Sequence, residues 1–340
     1  YSTLLNFDPE TKNIFTNKKG FKLNDLFIQS DLSKTLMRIA KYGYEEFYTG
    51  KTSDYILQCM NRTDGIITKQ DLKNYKAVER KPISFNYRGY KFHSMALPSS
   101  GGITLANILN QLENVDFSSI GFHSSTHVHY LVEAEKRAYA DRAKYLGDSD
   151  YIYVPTDKLI SKEYAKQRFD NISLSHSTKS ESLNVDYSIF NESEETTHFS
   201  VVDKYGNAVS LTTTINGTFG NGITVDNAGF ILNNEMDDFS IKPNFPNQYG
   251  LVGNEANSIA PNKRMLSSMT PTIVEDKNND LFLVLGSPGG STIITTVLQI
   301  AMNVIDFNMT LKEAIESKRF HHQWLPDYIQ IEEKKFWFSV

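Results

Sequence analysis

Cysteine is almost absent: Cys59 is the only thiol in 340 residues. A disulfide framework is therefore excluded, and so is a zinc site built on two or more thiolates. A single thiol leaves the compartment open, because large exported proteins can do without disulfides. Positive charge is also short. Lys and Arg number 35 against 40 for Asp and Glu, giving a formal charge of −5, and no run of five basic residues occurs. Such a surface lacks the basic footprint of a nucleic-acid binder. No stretch of ~18 apolar residues is present, so no membrane-spanning helix is expected. The opening Tyr1-Ser2-Thr3-Leu4 does not read as a signal peptide. No solenoid-type repeat is visible. With 22% charged residues and 40% in the AVILMFWYC set, the composition is that of a globular chain rather than a disordered one.

Apolar spacing divides the chain into a helix-rich first half and a strand-rich second half. Asp31 or Ser33 can cap a helix running to about Tyr42, where Gly43 stops it. Thr52 or Ser53 can cap another through Ile56, Leu57 and Met60, and Thr68 precedes a short one over 69–75. The period then falls to two. Ile83, Phe85 and Tyr87 alternate, Arg88-Gly89 turns, and Tyr90, Phe92 and Ser94 follow, the pattern of a hairpin. Pro98-Ser-Ser-Gly-Gly102 opens a helix carrying Ile103 through Leu112, and a longer helix is predicted over 124–146. Residues 176–195 are polar, partly acidic and aperiodic, as in a surface linker. Beyond them strands are expected over 199–203, 208–215, 271–275, 281–285 and 328–332. Helices are expected over 292–305 and after the capping box Thr310…Glu313. The order predicts a layered α+β arrangement with helices covering antiparallel sheets.

Several motifs could carry chemistry. Gly286-Ser-Pro-Gly-Gly-Ser291 lies between a strand and a helix, where backbone N–H groups make either an oxyanion site or simply a tight turn. It matches neither the dinucleotide fingerprint nor the P-loop. The 98–102 turn carries a weaker functional suggestion of the same kind. His123 and His127 are four apart with His129 near, but without the carboxylate of a zinc helix, and His321 and His322 are adjacent, so no metal site is expected. G-x-S-x-G is missing and Ser267-Ser268 lack its context, which argues against a serine hydrolase. Glu235, Asp237 and Asp238 form either an acidic capping loop or a site for an ammonium group. Thr196-Thr197-His198 follows the acidic linker directly. A threonine hydroxyl becomes an effective nucleophile when it is N-terminal and its own α-amine acts as base, which requires cutting the preceding peptide bond. Without such a cut the segment is an ordinary β-branched strand start.

The run from Thr196-Thr-His-Phe-Ser-Val-Val-Asp to Thr-Ile-Asn-Gly-Thr-Phe-Gly220 resembles the self-cleavage segment of the γ-glutamyltransferases. Asn233-Asn-Glu-Met-Asp-Asp-Phe239, Pro261-Asn-Lys-Arg-Met-Leu-Ser-Ser-Met269 and Gly286-Ser-Pro-Gly-Gly290 resemble, in order, the family's substrate-amine, paired-serine and oxyanion segments. Tyr87-Arg-Gly-Tyr90, the 98–102 turn and Glu133-Ala-Glu-Lys-Arg-Ala-Tyr-Ala-Asp141 are similar too, so that the likeness runs from about residue 25 to 333.

The resemblance implies the four-layer αββα sandwich of the N-terminal-nucleophile hydrolases. Residues 1–195 would be the C-terminal part of a large subunit and 196–340 a small subunit, in one shared structural domain. Cleavage between Glu195 and Thr196 would free the nucleophile for γ-glutamyl transfer and hydrolysis. Thr214 would orient the Thr196 hydroxyl, and Gly289 and Gly290 would hold the oxyanion. Asn216, Glu235 and Asp238 would bind the substrate α-amine, and Ser267 and Ser268 its α-carboxylate. Glu235 stands where many bacterial relatives carry Gln. Tyr249 would belong to a lid over 243–249.

Expected partners are a small γ-glutamyl donor such as glutathione, with an amino acid, peptide or water as acceptor. No cofactor and no metal is implied, and the location would be periplasmic or secreted. A poly-γ-glutamate transpeptidase would want an open groove, which a lid disfavours. An inactive fragment is the other alternative, opposed by the intact set of site residues. In the family an arginine ahead of the matched region clamps the α-carboxylate, and a further core strand follows it. Residues 334–340 do not align. On this reading the chain is truncated at both ends, and the two serines would meet a carboxylate without a counter-charge.

Overall fold

The computed structural model describes residues 2–16, 21–183, 196–240, 242, 245, 247–248 and 250–332. The chain divides into two compact units, 1–79 with 215–234 and 80–214 with 235–340. Each unit draws on residues from both sides of position 195.

The first unit is helical. Helices Pro9–Phe15, Ser30–Tyr42, Lys51–Thr63 and Lys69–Asn74 surround a small core of Ile56, Cys59, Met60 and Leu72, closed by Val225 and Ala228. Gly43 ends the Ser30–Tyr42 helix at φ +73°, as its sequence position suggests. Thr52 and Ser53 are not caps; they lie inside a helix whose N-cap is Gly50. The reason is tertiary. Glu46 Oε1 accepts from both the N–H and the hydroxyl of Thr52, at 3.2 and 3.0 Å, and is held by Arg38 Nε at 2.8 Å. Thr68 does cap its helix, in a capping box with Asp71.

The second unit is layered. It contains strands β1 (Ile83–Tyr87), β2 (Tyr90–Ser94), β3 (Thr197–Val202), β4 (Ala208–Thr213), β5 (Thr272–Glu275) and β6 (Leu281–Leu285). An antiparallel sheet runs in the order β1-β2-β5-β6, and β3 pairs with β4 in a separate hairpin. Alternation decides which face is apolar. Phe85, Phe92, Val274, Leu283 and Leu285 turn to one side and form the main core with Leu105, Leu109, Leu131 and Val297. These come from helices Gly101–Leu112, Ser125–Tyr145 and Thr292–Ile305. The β3–β4 hairpin lies on the other side. Ser200 Oγ donates to the Val284 carbonyl at 3.0 Å and Ser210 Oγ to that of Leu285 at 2.9 Å. The described residues thus build helix, sheet and hairpin layers in the expected α+β order. The outer face of the hairpin, with Phe199, Val201, Val209 and Leu211, is exposed.

Differences from the sequence reading are local. A helix at Lys162–Phe169 was not expected; two turns give little periodicity, and its support is tertiary, including a 2.9 Å bond from Tyr164 to Asp141. The last strand shrinks to β8 (Gln330–Ile331), paired with β7 (Phe320–His321). The linker from 184 to 195, including Glu195, lies outside the described residues. No described helix is long and apolar enough to cross a membrane.

Leu109 is fully buried in this core. Leu109→Ala is expected to lower unfolding free energy by about 2–5 kcal/mol in denaturant titration. A loss under ~1 kcal/mol would contradict its core position.

Candidate active site

Thr197 and Thr213 form the last pair of the β3–β4 ladder. Thr196 and Thr214 are the next residues outward on these adjoining antiparallel strands, so the fold brings the two together. β3 also runs along β6. Ser200 meets Val284, and two residues further along each chain the His198 ring meets Gly286. A Cβ on Gly286 would sit 2.3 Å from that ring, so only glycine permits the approach. The same progression carries Thr196 toward the turn that follows Gly286. Burial pushes the His198 pKa down, and its Nδ1 lies 2.9 Å from Thr212 Oγ1.

Within that turn Gly289 and Gly290 take φ +127° and +52°. The Gly289 carbonyl accepts from Thr292 N at 2.9 Å and from Thr292 Oγ1 at 2.7 Å, which locks the turn onto the helix start. The Tyr139 hydroxyl, fully buried, donates to the Ser291 carbonyl at 2.7 Å. Among the described residues no acceptor is found for the N–H of Gly289 or Gly290. Two such donors at a helix start suit a developing oxyanion.

The paired serines rest on the 98–102 turn. Ser267 N donates to the Pro98 carbonyl at 2.9 Å, and the Ser267 carbonyl accepts from both N and Oγ of Ser100 at 2.8 Å. Gly101 allows the close approach, since a Cβ there would lie 2.4 Å from Thr270 Oγ1. Ser267 Oγ accepts from Met269 N at 3.1 Å, and Ser268 Oγ accepts from Arg142 Nη2 at 3.2 Å. A hydroxyl that accepts from a fixed donor keeps its own proton for an outside acceptor. Both serines are half-exposed.

The acidic segment forms a turn, Glu235–Asp238. Asn257 couples it to the serines: Nδ2 donates to the Asp238 carbonyl at 2.6 Å, while Oδ1 accepts from Leu266 N at 3.0 Å. Burial pushes the Glu235 carboxyl up to about 7. Burial, with the charges of Glu235 and Asp237 added, pushes Asp238 up to about 8 against the opposing influence of Arg142 and Asn247. A cation beside either carboxyl would favour its charged form. Asn247 Nδ2 donates to Asp238 Oδ1 at 3.2 Å and Gln248 N to Asp237 Oδ2 at 2.8 Å, so the end of the 243–249 stretch is tied to this turn.

The second unit therefore contains Thr196, Thr214, Glu235, Asp238, Ser267, Ser268, Gly289 and Gly290. Asn216 belongs to the first unit, where it is buried at φ +72° and donates to the Asn234 carbonyl at 3.1 Å. Tyr249 and Glu195 lie outside the described residues. His127 takes a structural place, its Nδ1 accepting from His123 N at 3.0 Å amid aromatic rings. Among the described residues no group of three His, Cys, Asp or Glu could hold a metal ion.

One expectation is overturned. The serines do not lack a neighbouring cation, because Arg142, almost fully buried, reaches Ser268. Sequence reading missed Arg142, Ser100, Tyr139 and Asn257. Ser100 and Tyr139 lie in segments that carried the resemblance and Arg142 directly follows one, but their roles depend on helix packing that no spacing displays.

The sequence profile of the family described as Gamma-glutamyltranspeptidase matches residues 1–339. The chain belongs to this family. It is 52% identical over 311 residues to the glutathione hydrolase proenzyme of Escherichia coli (strain K12), covering 92% of this chain and 53% of that protein. It is 37% identical to the Bacillus subtilis (strain 168) glutathione hydrolase proenzyme, covering 93% and 55%. Among solved structures, cephalosporin acylase from Bacillus halodurans matches at a TM-score of 0.77 and 26% identity, covering 91% of this chain and 53% of the other. Helicobacter pylori gamma-glutamyltranspeptidase matches at 0.51 and 44%, covering 52% and 51%. The chain spans about half the length of the curated relatives it matches.

The raised acids make stability fall with pH. Unfolded, both carboxyls titrate near about 4. Folded, they titrate at about 7 and about 8. Their contribution is complete below the lower values and is lost as pH rises through the higher ones. Denaturant unfolding at pH 5 and 8.5 is expected to show lower stability at 8.5, and Asp238→Asn should flatten the difference. An unchanged pH slope in that variant would refute the assignment.

Proposed function

We propose that this chain carries the catalytic core of γ-glutamyl transfer and hydrolysis, acting on small γ-glutamyl compounds such as glutathione. The observation that carries the reading is the Thr196–Thr214 pair at the end of the hairpin, on the side of β6 that leads into the Gly289–Gly290 turn. The proenzyme names of the curated relatives support a self-processing origin for the nucleophile.

In this reading the bond between Glu195 and Thr196 is cut first. The freed Thr196 α-amine takes the proton of the Thr196 hydroxyl, oriented by Thr214. The hydroxyl oxygen attacks the γ-carbonyl carbon, and the Gly289 and Gly290 N–H groups receive the negative charge. The protonated amine returns its proton to the leaving nitrogen, leaving a γ-glutamyl ester on Thr196. Water then releases glutamate, or an amino acid or peptide accepts the γ-glutamyl group. Asn216, Glu235 and Asp238 bind the α-ammonium, and Ser267 and Ser268 the α-carboxylate. The bonds from Asn247 and Gln248 to the acidic turn support a covered site with Tyr249 in the lid, suited to a small substrate.

The two products of the cut, 1–195 and 196–340, remain together as a large and a small subunit, since each compact unit takes residues from both. The reaction needs no cofactor. The protein acts in the periplasm or outside the cell.

Intact mass under denaturing conditions tests the first step. Two species divided between Glu195 and Thr196 are expected, and Thr196→Ala should give one uncut species. The same variant should lose hydrolysis of a chromogenic γ-glutamyl anilide by at least ~10³-fold. Normal cleavage or turnover in Thr196→Ala would end this reading.

A further inference from the structure

The fully buried Arg137 and the half-buried Arg38, Arg168 and Arg88 are matched with carboxylates. Arg137 pairs with Glu133 at 2.7 Å, Arg38 with Glu46 at 2.8 Å and Arg168 with Asp141 at 3.1 Å; Arg88 pairs with Asp306. Arg142 is different. It is 4% exposed, yet among the described residues it forms no ion pair. Its Nε donates to Ser100 Oγ at 2.9 Å and its Nη2 to Ser268 Oγ at 3.2 Å, both neutral acceptors.

A guanidinium held out of water without a counter-charge is costly, and burial pulls the Arg142 pKa down from its ordinary value. Asp238, whose charge bears on Arg142, is itself pushed up to about 8 and is mostly protonated at neutral pH. Among the described residues the positive charge is therefore left without an ionised partner at neutral pH. Such a group is retained where a ligand completes it.

The bonding pattern says where the ligand lies. Ser100 Oγ accepts from Arg142 and spends its own proton on the Ser267 carbonyl at 2.8 Å. Ser268 Oγ accepts from Arg142, and among the described residues its proton goes to no protein acceptor. That proton is aimed away from the guanidinium, and Ser268 is half-exposed.

We propose that Arg142 is the positioning residue of the carboxylate end of this site: through Ser268 it directs a hydroxyl proton onto the substrate α-carboxylate, and its charge selects a carboxylate over the neutral α-amide. The proposal rests on the reading of Ser267 and Ser268 as the carboxylate contacts. Arg142 stands three residues after Tyr139 on the Ser125–Tyr145 helix, so one helix face holds both the carboxylate end and, through Ser291, the glycine turn. The distance between the two ends of the substrate site is then set by a rigid element rather than by loops.

Titration calorimetry on the whole chain tests this with two ligands, glutamate and its α-carboxamide, isoglutamine. The wild type is expected to prefer glutamate by about 10- to 100-fold. Arg142→Met should bring the ratio within about 3-fold by weakening glutamate alone, while the amide's affinity holds. Arg142→Lys, which keeps the charge but not the fork, should retain part of the preference. Equal weakening of both ligands in Arg142→Met, or an unchanged ratio, overturns the proposal and leaves the serine reading standing. A wild type that binds no glutamate, or binds both ligands equally, overturns the serine reading and the proposal together. Circular dichroism checks folding. Should Arg142→Met fail to fold, Arg142→Lys and Ser100→Ala decide: both should lower the preference, and an unchanged ratio in both overturns the proposal.

Discussion

The hydrogen bonds sent out from the buried face of the Ser125–Tyr145 helix hold the site in register. Tyr139 reaches the Ser291 carbonyl, and Arg142 reaches Ser100 and Ser268. The segments they hold, the glycine turn and the serine strand, have little regular structure of their own. Each would otherwise wander with its loop. A buried donor that loses its acceptor costs its full desolvation, so these links tolerate little slack. The helix itself is anchored within the core by Leu131 and, at its polar face, by Arg137, which donates to the Arg168 and Asn171 carbonyls. The precision of the site is thus inherited from the packing of one long helix.

The charges in the site are arranged in opposition. At one end, burial makes Glu235 and Asp238 reluctant to ionise. At the other, a guanidinium is surrounded by hydroxyls rather than carboxylates. Each end is unfavourable alone. The proposed substrate, with an ammonium at the acids and a carboxylate at the serines, would answer both at once. Proteins usually neutralise buried charge internally, as the Arg38–Glu46 and Arg137–Glu133 pairs do here.

Glycine and hydroxyl side chains supply the close approaches that bring these parts together. Gly286 lets β6 leave its strand against the His198 ring, and Gly101 lets a helix start press on Thr270. Ser200 and Ser210 join the two sheet layers by bonds to backbone carbonyls instead of apolar interdigitation. This leaves the β3–β4 hairpin seated directly on the strand that ends in the glycine turn. Asn257 performs a similar service between the acidic turn and the serine strand, from a position with no motif around it.

Local rules made much of the fold legible. Period-two alternation marked the β1–β2 hairpin and β5–β6, and helical spacing marked Gly101–Leu112, Ser125–Tyr145 and Thr292–Ile305. Those patterns depend only on residues a few positions apart, which is why the sequence carries them. Caps at Thr52 and Ser53 failed because Glu46, in a neighbouring helix, claimed Thr52. The Lys162–Phe169 helix stayed hidden because its stability lies in contacts with other helices. At the site, the sequence by itself determined the identities and order of Thr196, Glu235, Asp238, Ser267, Ser268 and the 286–290 turn. Only the tertiary structure decided that Arg142 lies beneath Ser268, that Asn257 links two loops, and that the carboxyls of Glu235 and Asp238 are pushed up. Those facts arise from burial and from tertiary contacts, across 126 residues for Arg142 and Ser268, and no spacing along the chain records them.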